Sequence, residues 1–429
     1  MPFTETSKHL QAFVKDLTAE SKYLRQTRRP LFSNQSAAFL QKIYRQLLTA
    51  ETTWSRSKHD ILSSLTADSS KAALTKNSSY SSIPPEIKTQ LESQPSVTHT
   101  YQFRVGPRTV EAHIVLPSIH RPDVFHTRME AAKTKKAIYR IYLWLSVAFK
   151  YASHHCSQTL HMYFYMSDHL KVKPLVLKEP MNWVNANTAF TTHCQPATNI
   201  TLFREEEWFK VCIHETFHCL GLDFSAFDQG AKVADQAILR HFNKNIINIA
   251  DLRSYETYCE MWAEILNTMF IAHDVTREIG DFDTILNKME KMLRVEQVWS
   301  GFQCVKLLDH FQLKYADIIN ITNTTNNPNN INHKYHEKTN AFCYYVLKTI
   351  LLFHLDDFIK WVATKNPAKS IRFELTTQNT LSYAELITSL HNSPDFVRFI
   401  AGFDGWFANN ASNRGTIMDT MRMTVNELV

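Results

Sequence analysis

The stretch Val211–Ser225, VCIHETFHCLGLDFS, constrains the chain most, because it contains a His-Glu-x-x-His motif. His214 and His218 are four residues apart, so on a helix their side chains project from the same face. Ile200–Arg204 (ITLFR) has the composition of a short strand, and Gly221 stands where a glycine commonly ends a helix. The pattern therefore predicts a strand followed by a helix that presents two imidazoles side by side.

Two imidazoles at this spacing can bind one metal ion, and Glu215 lies one residue along the helix from His214. Zinc held by protein ligands keeps a position for water and lowers the pKa of that water to about 7. Glu215 would then act as the general base while the water attacks a carbonyl carbon. The alternative is an ordinary amphipathic helix whose two histidines share a face. We expect one zinc ion, because the predicted strand and helix supply the context that this chemistry needs.

A tetrahedral zinc site needs a third protein ligand. A metzincin would place a histidine or aspartate at position 224, but the residue there is Phe224. A better source is Ser254–Phe270, SYETYCEMWAEILNTMF, in which Glu256, Glu260 and Glu264 recur every four residues on one helical face. A row of like charges is usually a solvated face. Here the segment is rich in aromatic and apolar residues, so the carboxylates are predicted to be buried and to need a partner.

The combination of motif and later glutamates resembles the gluzincins, whose third ligand is a glutamate on a later helix. Within that group, Glu260-Met261-Trp262-Ala263-Glu264 looks like the ExxAE helix of the anthrax lethal factor and Pro-Pro endopeptidase type. The resemblance implies that Glu260 binds the zinc and that Glu264 orients a histidine, with Glu256 also close to the site. It also implies an active-site tyrosine, for which Tyr255 is the nearest counterpart at a different spacing.

The sequence HETFHCLGLDFS is also similar to that of uncharacterised predicted metalloproteases of large DNA viruses. That similarity implies a viral protein, either cytoplasmic or packaged in a virion. The N-terminal residues MPFTETSKHLQAFVKD contain no apolar core of a signal peptide. The most apolar run, Ala341–Leu355, is too short to span a bilayer and is predicted to be a buried helix. A soluble, intracellular protein is expected.

Composition narrows the possible functions further. The 429 residues can form two or three domains, and 44% hydrophobic residues suffice for a substantial core. A net charge of +6 is too small to predict a nucleic-acid partner. Eight glycines and the absence of a Gly-x-x-x-x-Gly-Lys motif argue against a phosphate-binding loop. Seven cysteines without a Cys-x-x-Cys pair argue against a secreted disulfide framework, and Cys212, Cys219 and Cys259 are predicted to be packing residues.

The remaining pattern predicts an α+β chain in three parts. Residues 1–97 form a helical N-terminal region with a basic cluster at Arg25–Arg29 and a Ser-rich linker at Ser63–Thr98. Residues 98–325 form a zincin-like metallopeptidase domain, with a small twisted sheet, a backing helix and the active-site helix. Residues 326–429 form a helical C-terminal region, preceded by a polar loop at Asn320–Asn332.

The elements of the central part are predicted in a definite order. A hairpin at Tyr101–Leu116 is followed by a helix at Ala131–Ala152, a strand at Leu160–Met166 and a short strand at Asn187–Thr192. In zincin domains the corresponding short strand lies at the edge of the sheet and can pair with an extended peptide. The predicted substrate-binding residues on this strand are Asn187, Ala189 and Thr191; the alternative is an ordinary sheet edge that binds no ligand.

The expected function is that of a zinc-dependent endopeptidase with a peptide or protein substrate. Two alternatives stay open at the level of sequence. One is a structural or virion protein that keeps a zincin fold, although such a protein has no need of Glu215. The other is a zinc-dependent hydrolase of isopeptide or other amide bonds, which would use the same residues.

Overall fold

The computed structural model describes residues 3–24, 30–117, 124–276, 281–319, 334–366, 370–410 and 415–429. The chain divides into two compact units. The sheet unit comprises Leu40–Leu170 and Asn187–Ala226, and the helical unit comprises Met1–Phe39, Lys171–Ala186 and Phe227–Val429. The predicted α+β class is confirmed. The basic cluster Arg25–Arg29 and the polar loop Asn320–Asn332 lie outside the described residues.

The sheet unit contains a mixed six-stranded sheet in the order β1-β2-β3-β4-β6-β5. Strands β3, β4 and β6 are parallel neighbours, while β1–β2, β2–β3 and β5–β6 are antiparallel pairs. The strands are β1 (Thr66–Asp68), β2 (Ser96–Val105), β3 (Arg108–Pro117), β4 (Thr159–Tyr165), β5 (Ala189–Thr191) and β6 (Ala197–Leu202).

The predicted hairpin is confirmed as β2 and β3, which are joined by Gly106 and Pro107. Val105 pairs with Arg108 across the turn, and Gly106 takes φ +59°, a left-handed conformation that favours glycine. The side chains alternate between the two faces of the sheet, so one face of β3 carries Val110, Ala112 and Ile114.

Two helices cover that face of the sheet. They are α5 (Val124–Ala148), the predicted backing helix, and α7 (Trp208–Cys219), which contains the His-Glu-x-x-His motif. The Tyr101 hydroxyl on β2 lies 2.9 Å from the Thr134 hydroxyl on α5, and the Phe164 ring on β4 packs edge-on against Trp208 on α7. Helix α2 (Asn34–Ser63) runs from the helical unit into the sheet unit, where Trp54 packs on Tyr142 of α5.

The opposite face of the sheet is covered by residues that the sequence predicts as a linker. The predicted short helix is present as α4 (Pro85–Ser93), but α3 (Lys71–Leu74) and a 3₁₀ turn at Tyr80–Ser82 precede it. These elements bury apolar side chains against Val115, Tyr163, Tyr165 and Phe203; they are Leu74, Tyr80, Ile83, Ile87 and Leu91. Serine content predicted a linker, whereas the few apolar residues between the serines fix the segment on the sheet.

The cysteines fall into two groups. Cys156 and Cys194, both in the sheet unit, form a disulfide. The other five cysteines are free and buried, which agrees with the predicted packing role of Cys212, Cys219 and Cys259.

The helical unit is built around two long buried helices, α9 (Ser254–Thr276) and α10 (Phe282–His310). The sequence predicts two or more helices within Phe282–Ile321, including Ile285–Leu293 and Cys304–Tyr315. The structure has two in the described part of that range, but α10 is continuous from Phe282 to His310 and the second, Tyr315–Ile319, is short. Gly301 lies inside α10 because a Cβ there would meet the Phe399 and Phe403 rings at 2.7 Å. The helical unit also contains a π-helix at Phe342–Leu347 and a pair of two-residue strands, β7 (Ile247–Asn248) and β8 (Tyr335–His336). The other helices of this unit are α1 (Glu5–Glu20), α6 (Trp183–Ala186), α8 (Asp228–Leu239), α11 (Tyr315–Ile319), α12 (Lys348–Phe353), α13 (Leu355–Lys365), α14 (Thr377–Leu390), α15 (Pro394–Ala401), α16 (Asp404–Asn410) and α17 (Thr416–Asp419).

The apolar run Ala341–Leu355 forms the π-helix and α12, most of whose residues are buried, as predicted. Within the ranges described above, no helix combines the length and the hydropathy needed to cross a membrane.

Candidate metal centre

Helix α7 ends in a turn that requires glycine. Gly221 has φ +63°, its N–H donates to the His218 carbonyl (3.1 Å), and the Leu222 N–H donates to the Phe217 carbonyl (2.9 Å). These bonds define a Schellman motif, in which the residue after the C-cap is left-handed. A Cβ at Gly221 would also lie 3.2 Å from Cys156 Sγ. The glycine predicted to end the motif helix therefore does so, and the turn directs the following residues back along α7.

The rotation of α7 about its axis is fixed by Trp144 on α5. The Trp144 indole N–H donates to the Thr216 hydroxyl (2.7 Å), and the indole stacks on the Phe217 ring. Every residue of α7 is buried. Because Thr216 lies between His214 and His218 in sequence, this anchor also fixes the directions in which the two imidazoles point.

The two histidines of the motif face each other. Their Nε2 atoms are 3.2 Å apart, and the residues are only 5% and 6% exposed. Two ligand atoms on a tetrahedral zinc, each about 2.0–2.1 Å from the metal, lie about 3.3 Å apart. The arrangement predicted from the spacing of four residues is therefore present, and the pair fits two corners of a zinc tetrahedron.

Asp223 holds the far nitrogen of His218. The His218 Nδ1 and the Asp223 carboxylate form a hydrogen bond, and that carboxylate also accepts from the Ser225 N–H (2.9 Å) and hydroxyl (2.7 Å). Burial raises the pKa of Asp223, but the charge of His218 and these hydrogen bonds outweigh it and lower the pKa. An ionised carboxylate on the far nitrogen fixes the ring and increases the basicity of Nε2, as in many histidine–zinc sites.

Asp223 was not among the residues selected from the sequence. The comparison with metzincins directed attention to position 224, one residue further along. The glycine that ends the helix was the available indication, because a Schellman turn after His218 brings the next few residues back to the last turn of α7.

A third histidine lies beside the pair. The His193 ring centroid is 6.0 Å from that of His218, and His193 Nδ1 lies 3.3 Å from the Ser225 hydroxyl. His193 is exposed and follows β5 by two residues. It was also missed at the level of sequence, because only the fold brings the end of β5 next to α7.

Glu215 lies on α7 with 8% of its surface exposed, directly after His214. Two thiols lie on the same helix: burial raises the pKa of Cys219 to about 12 and raises the pKa of Cys212 well above its usual value.

The three glutamates predicted as ligand candidates lie on α9, and all are buried, as predicted. Glu264 receives hydrogen bonds from the Lys348 ammonium (2.6 Å) and the Thr424 hydroxyl (2.8 Å). Glu260 lies 3.7 Å from the same ammonium. Glu256 accepts from the Asn340 amide and the Tyr344 hydroxyl, both at 3.1 Å.

The three carboxylates therefore have different partners: Glu264 and Glu260 lie beside the Lys348 ammonium, whereas Glu256 accepts hydrogen bonds from neutral groups. Lys348 is itself buried; burial lowers its pKa, but Glu264 and Glu260 outweigh that and raise it. The Lys348 ammonium is thus a cationic partner of Glu264, which the resemblance assigns to orienting a histidine. Tyr255, the predicted active-site tyrosine, lies partly exposed in the first turn of α9.

The predicted substrate strand is β5, and it lies at the edge of the sheet as expected. The Thr188 carbonyl and the Thr192 N–H bond to β6, so by the alternation of an antiparallel ladder Ala189 and Thr191 direct their N–H and C=O groups away from β6. The Asn187 carbonyl accepts a hydrogen bond from Arg204. The outward backbone groups of this edge therefore belong to two of the three predicted substrate-binding residues.

The sheet unit also contains other groups of histidine, cysteine and glutamate side chains close enough to hold a metal ion, at Glu111, His113 and His161 and at His155, Cys156 and Cys194. In the second group the two cysteines are already joined as a disulfide. No family model, curated protein or solved structure matches this chain.

Proposed function

We propose that the protein is a zinc-dependent peptidase whose metal is held by His214 and His218, with Glu215 as the general base. The observation that carries the proposal is the pair of buried Nε2 atoms 3.2 Å apart, with His218 held from behind by Asp223. An amphipathic helix with two histidines on one face needs neither this separation nor a buried carboxylate on the far nitrogen. We further propose a zincin-like fold for the sheet unit, because its hairpin, backing helix, parallel strands, antiparallel edge and motif helix follow in the expected order.

Each residue has a distinct part in this mechanism. Zinc bound to the histidines would lower the pKa of a water to about 7 and polarise the scissile carbonyl. Glu215 accepts the proton of the attacking water and donates it to the leaving amine. Asp223 keeps His218 in the tautomer whose Nε2 lone pair faces the metal. The edge of β5 binds an extended peptide through the backbone of Ala189 and Thr191.

Zinc content tests the metal site directly. We expect about one zinc per chain in the purified wild-type protein, measured by mass spectrometry of metals. His214→Ala and His218→Ala should each abolish it, because two remaining protein ligands do not retain the ion. His154→Ala removes an exposed imidazole elsewhere in the sheet unit and serves as the matched control. Unchanged zinc in both motif variants would refute the site.

The zinc content of glutamate variants tests which residue is the third ligand. That ligand is predicted from the sequence alone. The resemblance predicts Glu260 as the third ligand. The contacts favour Glu256 instead, because neutral groups donate to it, whereas the Lys348 ammonium beside Glu260 would repel a zinc ion. We expect zinc to be lost from Glu260→Gln or from Glu256→Gln. Glu264→Gln should keep its zinc, because the Lys348 ammonium 2.6 Å away already compensates the charge of Glu264. Zinc loss from a folded Glu264→Gln variant would contradict this ranking.

The substrate strand has its own test. Thr191→Pro removes an outward N–H without removing a ladder hydrogen bond, which an edge strand tolerates. We expect about a tenfold rise in KM for peptides, the loss of one hydrogen bond of about 1.4 kcal/mol. Thr191→Val is the control, since it keeps the N–H but also loses the Thr191 hydroxyl bond to the Asn199 carbonyl (2.8 Å). Equal KM values for the two variants would exclude peptide pairing at Thr191.

A further inference from the structure

A second group of ligand-type side chains lies in the sheet unit, on the face opposite α5 and α7. Glu111 and His113 are on β3, and His161 on β4 is the direct cross-strand partner of Glu111. His113 Nε2 is 3.1 Å from Glu111 Oε1, and His161 Nδ1 is 3.3 Å from Glu111 Oε2. One ligand atom from each of the three residues falls within a common span of 4.8 Å.

Each of the two imidazoles has one ring nitrogen that makes no hydrogen bond within the described part of the chain. His113 is 1% exposed, and its Nε2 has no hydrogen-bond partner among the described residues, although Glu111 Oε1 is near. Among the same residues, His161 Nδ1 also has no hydrogen-bond partner. A buried polar atom left without a hydrogen bond destabilises the fold. Close approach without a hydrogen bond is the arrangement expected of ligands that share an ion.

The His113 ring is also held in place for such a role. Its Nδ1 lies 2.8 Å from the Thr100 hydroxyl, and the ring stacks on Tyr163 with centroids 4.5 Å apart and planes 10° apart. When Nδ1 donates to the hydroxyl, the Nε2 lone pair points toward Glu111, the orientation that a metal ligand requires.

We propose that Glu111, His113 and His161 form a second metal site, which binds a divalent transition-metal ion such as Zn²⁺. Two imidazoles with one carboxylate suit zinc and its neighbours in the first transition row, whereas magnesium and calcium prefer oxygen ligands. Each imidazole nitrogen lies near a different oxygen of Glu111, at 3.1 and 3.3 Å, so the carboxylate faces both rings at a spacing that ligands of one ion can have. A bound ion would join β3 to β4. The proposal does not depend on the proposed peptidase activity.

Lys76 is the competing cation at this site. Its ammonium lies 2.7 Å from Glu111 Oε1, and its side chain is 53% exposed. Solvent weakens the attraction of so exposed an ammonium, and the long Lys76 side chain can move into solvent when an ion arrives. The site should therefore bind metal more weakly than it would without Lys76.

The experiment counts ions in a protein that lacks the first site. The His214→Ala/His218→Ala double variant, stripped with a chelator, is titrated with Zn²⁺ alone in a calorimeter and with Co²⁺ alone in a spectrophotometer. We expect one ion to bind. Adding His161→Ala or Glu111→Gln should weaken binding at least tenfold, adding His154→Ala should leave it unchanged, and adding Lys76→Gln should strengthen it.

The possible outcomes separate this site from the peptidase site. The second site would be refuted if the double variant bound no metal, or if neither His161→Ala nor Glu111→Gln changed its metal affinity. Either result would leave the first site unaffected. If the double variant does not fold, the same titration of the wild-type chain decides the question. His161 is partly exposed, so its replacement should remove one of two bound Co²⁺ ions without unfolding the protein, and two retained ions would refute the proposal.

Discussion

Glu215→Gln is expected to give a folded, zinc-loaded protein whose peptide turnover falls by about 10²–10⁴-fold. A positioned general base contributes about that factor, which corresponds to about 2.7–5.5 kcal/mol of activation free energy. The substitution keeps the size of the side chain and removes its basicity. Glu215 follows His214 directly on α7, so its side chain points beside the paired Nε2 atoms and is not needed to hold the metal.

The measurement is turnover of a mixed peptide library at equal zinc content for both proteins. Glu205→Gln is the matched control, since Glu205 lies just before α7 and pairs with the exposed Lys133, outside the motif. It should retain wild-type turnover. Equal turnover by wild type and Glu215→Gln would eliminate the mechanism. If neither cleaves peptides while zinc is present, an isopeptide library tests the hydrolase alternative, and failure there as well favours a structural role.

The parts of the site that sequence predicted are local in the chain. The separation of four residues placed the histidines, the helix period placed both on one face, and Gly221 ended the helix in the left-handed turn that only glycine adopts easily. Strands β4, β5 and β6 were also predicted, because their apolar alternation is a property of a few consecutive residues.

The parts that sequence did not predict depend on contacts between distant segments. Lys348 is 84 residues from Glu264, and nothing in the row of glutamates on α9 indicated which buried cation would face it. His161 meets Glu111 only because β3 and β4 pair in parallel with that register. The Ser-rich segment was predicted as a linker from its composition, whereas the sheet face it covers was not visible in the sequence.

Lys348→Met is expected to destabilise the helical unit by about 3–5 kcal/mol. The ammonium is buried and is bonded to Glu264 at 2.6 Å, with Glu260 at 3.7 Å and a third carboxyl, Glu296, close enough to influence its pKa. Burial, followed by the charge of Glu264, raises the pKa of Glu296 to about 8, so a further negative charge beside Lys348 is unfavourable. Removing the cation leaves Glu264 buried and uncompensated, which is the costly way to break a buried pair.

The measurement is the midpoint of thermal unfolding, for which a loss of this size corresponds to a fall on the order of 10 °C in a unit of this length. Lys348→Met/Glu264→Gln is the decisive companion, because removing both charges from a buried pair costs far less than removing one. We expect the double variant to recover most of the lost stability.

A single variant as stable as wild type would show that the glutamates on α9 are not held as ions by Lys348, and would return Glu264 to the set of possible metal ligands. A double variant no better than the single one would place the loss in the packing of the Lys348 side chain, not in its charge.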